Sequence, residues 1–152
     1  MRTTLSSTTT RCGATASGSS SCTTASGDNA VLKNSVRDNN ESCTQYAGFL
    51  HVPTIGGGGI VAAGSLHNVV SDNKVTGNSG DTPYSGGIVV VATTIPDADG
   101  SFTPSTGNVV VQNRLRHNHP ADIVQDTASQ PNVFLDNRCD TSTPDGLCES
   151  GH

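Results

Sequence analysis

Tryptophan is absent from the 152 residues, and aromatic side chains together make up only 3%. A compact globular core draws on such large groups, so the interior expected here is narrow and filled by aliphatic side chains. No apolar run reaches the roughly 18–20 residues needed to cross a bilayer, so no membrane span is expected. Basic clusters are missing, and the net charge is −5, which argues against nucleic acid as a partner. No charged start followed by an apolar stretch marks a signal peptide within the chain. The five cysteines never take a Cys-x2-Cys spacing, which removes the usual signature of a zinc site. There is no Gly-x-Ser-x-Gly elbow and no Gly-rich stretch followed by Lys and Ser or Thr, as a P-loop requires.

What the chain does have is a repeated phrase. Its clearest copy is Asn108-Val-Val-Val-Gln-Asn113-Arg-Leu-Arg-His-Asn118. The same Asn-x4-Asn-x4-Asn spacing joins Asn29, Asn34 and Asn39, and again Asn68, Asn73 and Asn78. A fourth copy holds Asn132 and Asn137 and is broken by Cys139. Aligned on their first Asn, the copies place Val31, Val70, Val110 and Phe134 in one apolar column. Val36, Val75, Leu115 and Cys139 form a second, and Asn34, Asn73, Asn113 and Asn137 lie between them. Repeats of this kind point to stacked units, none of which can bury its apolar face alone.

The copies start 39, 40 and 24 residues apart. The shortest spacing suits one coil of a parallel β-helix, and the longer two read as a coil with loop insertions. Between the phrases, Gly59-Ile-Val-Ala-Ala63, Gly87-Ile-Val-Val-Val91 and the weaker Asp122-Ile-Val124 recur. Glycine followed by β-branched residues reads as a turn entering a strand. Asn suits the bends between strands, because it tolerates left-handed backbone. Equivalent Asn side chains in successive coils, about 4.8 Å apart, would form an amide ladder. The expected fold is therefore all-β: a parallel β-helix of about four to five coils with loop insertions.

Residues 1–27 stand apart. Fifteen of them are Ser or Thr and none carries the apolar columns, so a poorly ordered or irregular segment is expected there. The coils occupy 28–138, and 139–152 form a C-terminal cap. Loops are expected at 79–86 and 93–107. Gly57-x-Gly59-x-x-Ala62 fits a dinucleotide fingerprint on paper, but that motif needs a following helix, and Gly64 and the β-branched run oppose one. Asp97-x-Asp99-Gly100 resembles the start of a calcium loop without its later Glu, and reads as a turn. Cys139 and Cys148 are a candidate disulfide clamping the last coil. Cys22 and Cys43 are a candidate staple at the other end, with Cys12 left over. Such pairs favour an oxidising compartment.

The phrases Asn68-Val-Val-Ser-Asp-Asn73-Lys-Val-Thr-Gly-Asn78, Ser85-Gly-Gly-Ile-Val-Val-Val91, Asn113-Arg-Leu-Arg-His-Asn118 and Asn137-Arg-Cys139, with Gly146-Leu-Cys148, resemble secreted right-handed parallel β-helix repeat proteins of actinobacteria. These belong to the pectate-lyase-like and NosD-like superfamily. The likeness spans about residues 28–148 and matches the C-terminal portion of such proteins. It implies a right-handed helix, a secreted location and a carbohydrate-associated role. It also implies that a lyase of this kind would use acidic residues to hold calcium and an Arg or Lys as base. The matching residues here are Lys74, Arg114 and Arg138 in one outward column, with Asp72 and Asp136 in a neighbouring one. No other cofactor is expected. His117, His119 and Asp122 are the nearest approach to a metal cluster. Three functions remain open: a non-catalytic scaffold or carbohydrate-binding module, a polysaccharide lyase or glycoside hydrolase (or an inactive fragment of one), and a protein–protein assembly module docking through an open coil edge.

Overall fold

A computed structural model of the chain describes residues 27–43, 46–47, 50–51, 55–94, 96 and 99–149. All but the last residue of the Ser/Thr-rich segment lies outside these residues, as do Cys12 and Cys22, and with them the Cys22–Cys43 pairing. The described chain is all-β, with no helix.

The first phrase supplies β1 (Ala30–Leu32) and β2 (Ser35–Arg37). The insertion after it holds two antiparallel pairs. One joins β3 (Ser42–Cys43) to Ile55–Gly56, which is β6, and the other joins β4 (Tyr46–Ala47) to β5 (Leu50–His51). There follow β7 (Gly58–Ala63), β8 (Val69–Ser71), β9 (Lys74–Thr76), β10 (Gly86–Val91), β11 (Val109–Val111), β12 (Arg114–Arg116), β13 (Ile123–Gln125), β14 (Val133–Leu135) and β15 (Ser142–Thr143). Gly58–Ala63 is thus a strand, and no helix follows the glycines of the apparent dinucleotide fingerprint.

Three parallel sheets take these strands in turn. The first runs β1-β8-β11-β14, the second β2-β9-β12, and the third β7-β10-β13-β15. In the fourth repeat Arg138 bridges to Arg114 and takes the place of a second-sheet strand. The register brings the repeated columns together: Val31, Val70, Val110 and Phe134 in the first sheet, and Val36, Val75 and Leu115 in the second. Ile60, Ile88 and Ile123 align in the third. These columns form one core, with Val75, Val110, Leu115 and Ile123 fully buried and Cys139 and Leu147 packed at its end. The outer face of the third sheet is buried too. Val61, Ala63, Val89 and Val91 pack with Tyr84, whose hydroxyl lies 2.6 Å from Thr94 Oγ1. The two expected loops thereby cover this face, which explains a strand as continuously apolar as β10.

Three Asn ladders cross the core boundary, and each has the same bonding pattern. In the central one, the backbone N–H and Nδ2 of Asn34 donate to Oδ1 of Asn73, those of Asn73 to Asn113, and those of Asn113 to Asn137. The ladder through Asn29, Asn68, Asn108 and Asn132 repeats it. So does the ladder through Asn39, Asn78 and Asn118, which ends on Oδ1 of Asp122.

The left-handed bends fall one residue earlier than the sequence suggests. All eight described non-glycine residues with positive φ (Asp28, Lys33, Asp38, His67, Asp72, Gln112, His117 and Asp136) directly precede a ladder Asn, as do Gly77 and Gly107. The Asn must aim its amide inward at its neighbours, so the residue before it takes the turn. Only Pro131, before Asn132, breaks the pattern, because its ring fixes φ at a negative value. Left-handed backbone costs a residue with Cβ about 1 kcal/mol or more, and Asn tolerates it best. Gln112→Asn is therefore expected to raise the unfolding free energy by about 0.5 kcal/mol, and Gly77→Ala to lower it by about 1 kcal/mol. Urea melts of both variants check this; a destabilised Gln112→Asn protein would remove the backbone explanation.

Candidate functional site

The second sheet presents its outward side chains in two columns, because side chains alternate across a strand. One column holds Ser35, Lys74, Arg114 and Arg138, with Glu149 bridging beyond. The other holds Arg37, Thr76 and Arg116. Every cation in these columns is exposed, while Val36, Val75 and Leu115 between them face the core. Lys33 stands on the corner leading into the face. All six Lys and Arg among the described residues therefore lie on this one face or its border, in a chain of net charge −5.

The cation column predicted from the sequence is thus brought together. The sequence reading missed Arg37 and Arg116, which lie two residues along from the predicted column. Arg114-Leu115-Arg116 carries the signal, since an apolar residue flanked by two cations puts both on the same side of a strand. Lys74, Arg114 and Arg138 occupy successive rungs about 4.8 Å apart, and like charges so placed repel. The repulsion is small, because the side chains are exposed and water screens them.

Asp72 and Asp136 stand on the corner between the first and second sheets, in one column with Lys33 and Gln112. Gln112 separates the two aspartates by a rung, and both are exposed. Asp72 accepts a hydrogen bond from Ser71 Oγ at 2.9 Å. They border the cationic face and do not face each other across a cleft.

The proposed metal-like cluster divides. His117 and His119 are exposed, whereas Asp122 is buried. Asp122 Oδ1 accepts from Asn118 N at 3.1 Å and Asn118 Nδ2 at 2.7 Å. Its Oδ2 accepts from the backbone of Asp140 at 2.9 Å and Thr141 at 3.3 Å. Both oxygens are committed to ending a ladder and holding the segment after Cys139. Among the described residues no three His, Cys, Asp or Glu side chains converge as metal ligands. Asp99 sits in a turn, where hydrogen bonds from the Ser101 hydroxyl and backbone hold its carboxyl below its ordinary pKa; Asp97 lies outside the described residues. Cys139 and Cys148 form the expected disulfide, with Cα atoms 5.3 Å apart.

No family model, curated protein or solved structure matches this chain. The cationic face is consequently the strongest functional feature in view. What it can do chemically is bind: it is exposed and predominantly cationic, with Glu149 as the one acid in its columns, and it is built on paired strands rather than on a loop. No described helix is long and apolar enough to cross a membrane.

Proposed function

We propose that this chain is a right-handed parallel β-helix module, of the secreted carbohydrate-associated kind its phrases resemble, that binds an anionic linear polysaccharide along the second sheet without cleaving it. The observation that carries the reading is the collection of the six described Lys and Arg onto one face, or its border, of an acidic chain. The cyclic visit to three parallel sheets supports the helical architecture. The Cys139–Cys148 disulfide supports an oxidising compartment. A polymer with a carboxylate on each sugar would lie along the stack and meet Lys74, Arg114 and Arg138 in succession, relieving their mutual repulsion.

The test is binding of the full chain to polygalacturonate, alginate and neutral xylan by calorimetry, at low and high salt, with product length followed in parallel. Binding to both acidic polymers and not to xylan is expected, weakening as salt screens the face. Arg114→Ala with Arg138→Ala is expected to weaken it about tenfold, equivalent to about 1.4 kcal/mol, with the melting temperature unchanged or slightly raised, because both side chains are exposed and their mutual repulsion is removed. Equal binding of xylan would sink the reading. Shortened polymer with unsaturated ends, lost on Arg114→Ala, would replace it with the lyase reading, in which Asp72 and Asp136 would hold calcium.

A further inference from the structure

The first sheet carries a second unusual face. Its inward column is Val31, Val70, Val110 and Phe134, yet the outward side is largely aliphatic as well, interrupted by Ser71, which is buried and donates to Asp72. Leu32, Val69, Val133 and Leu135 are 42, 37, 44 and 56% exposed, and Val109 and Val111 are half-buried among them. The third sheet has a comparable outer face and covers it with its own loops. On the first sheet the described residues supply no such cover. The exposed aliphatic area is on the order of 400 Å², the size of the largest patch a monomer usually shows, which is often functional.

The rims indicate what covers it. Asp28 and His67 stand on the corner before the first-sheet strands, on successive repeats, and Lys33 and Asp72 on the corner after them; all four are exposed. Two copies laid face to face about 10 Å apart, related by a two-fold axis along the stack, bring opposite corners together at the same level. Lys33 of one copy then meets the partner's Asp28, and Asp72 meets the partner's His67, and the symmetry makes each contact twice. The antiparallel alternative pairs Lys33 with Asp136 along one corner. Along the other it sets Asp28 against Pro131 and His67 against Gly107, so it makes one kind of complementary contact where the parallel arrangement makes two, although the parallel arrangement also leaves Gln112 against Gly107 and Asp136 against Pro131.

We propose that this face is the interface of a two-fold homodimer, aliphatic at its centre and closed on both sides by Lys33–Asp28 and Asp72–His67 contacts. The inference stands on a different sheet from the polysaccharide reading and does not depend on it. The dimer keeps both cationic faces open, so a polymer-binding chain would also become bivalent.

Sedimentation equilibrium of the full chain at micromolar concentrations tests it. The expected mass is twice 15.5 kDa. Val69→Asp, in a middle strand, is expected to give the 15.5 kDa monomer with an unchanged circular dichroism spectrum. Lys33→Asp alone is expected to weaken the dimer about tenfold, and adding Asp28→Lys to restore it. Both swaps respect the bends, since Asp and Lys already occupy such positions. A wild-type monomer would overturn the proposal. So would self-association that survives Val69→Asp, which would indicate joining at strand edges, or rescue of Lys33→Asp by Asp136→Lys in place of Asp28→Lys.

Discussion

Asn113→Ala is expected to lower the unfolding free energy by about 3–5 kcal/mol, the range reached when buried donors are orphaned and a cavity is left. Asn113 is fully buried. Its Oδ1 accepts from Asn73 N at 2.9 Å and from Asn73 Nδ2 at 3.0 Å. Its Nδ2 donates to Val70 O at 2.9 Å and to Asn137 Oδ1 at 3.0 Å. Alanine leaves both Asn73 donors and the Val70 carbonyl without these partners, at a depth no water reaches. Asn34→Ala offers the contrast. Asn34 is only partly buried and donates to Asn73, and its backbone N–H remains after the change, so the loss there is expected to be about 1 kcal/mol. Chemical denaturation of the two variants decides the matter: equal losses would mean that the ladder does not carry the difference.

Asp122→Ala is expected to cost a similar amount, about 3–4 kcal/mol, for a different reason. Four N–H groups converge on this one carboxylate, two from Asn118 and two from the backbone of Asp140 and Thr141. Asp122→Asn separates the two halves. An Asn carbonyl oxygen can still accept from Asn118, but its NH2 cannot accept from Asp140 and Thr141. The Asn variant is therefore expected to lose about half as much as the Ala variant and to expose the 140–149 segment to proteolysis first. Ala and Asn variants of equal stability would dismiss the carboxylate as the terminator.

Much of this architecture was legible because its signals recur. An apolar residue at a fixed distance from an Asn, seen four times, places the core columns and the central ladder, and Val70, Val75, Val110 and Leu115 are buried as the repeat demands. Other features leave no such trace. Ser65, Ser105 and Ser129 form a further buried ladder, with Ser65 N donating to Ser105 Oγ and Ser105 N to Ser129 Oγ. In a chain so rich in serine, their common position three residues before an Asn does not stand out. Asp122 resembled a metal ligand because His117 and His119 are near in sequence, but spacing alone does not tell which of three polar residues turns inward. The breadth of the cationic face needed the alternation within β12 to be combined with the alignment of β2. Each is weak alone.

One position in the third sheet bears on how such a chain can be lengthened. Gly59, Gly87 and Asp122 are equivalent, each standing just before an aligned isoleucine. A Cβ at Gly59 would come within 2.5 Å of Gly87 O and 2.9 Å of Asn78 Nδ2, and one at Gly87 would meet Asp122 O still closer and come within 2.9 Å of Asn118 Nδ2. Glycine is required wherever the next strand's carbonyl and an Asn of the third ladder together fill that space. At Asp122 no Asn does, and the carboxylate enters instead. The choice between glycine and aspartate therefore works as punctuation: one lets another unit follow, and the other closes the row. A unit duplicated ahead of Asp122 with its glycine would be read through, whereas one added behind it would meet a row with no rung left to accept it.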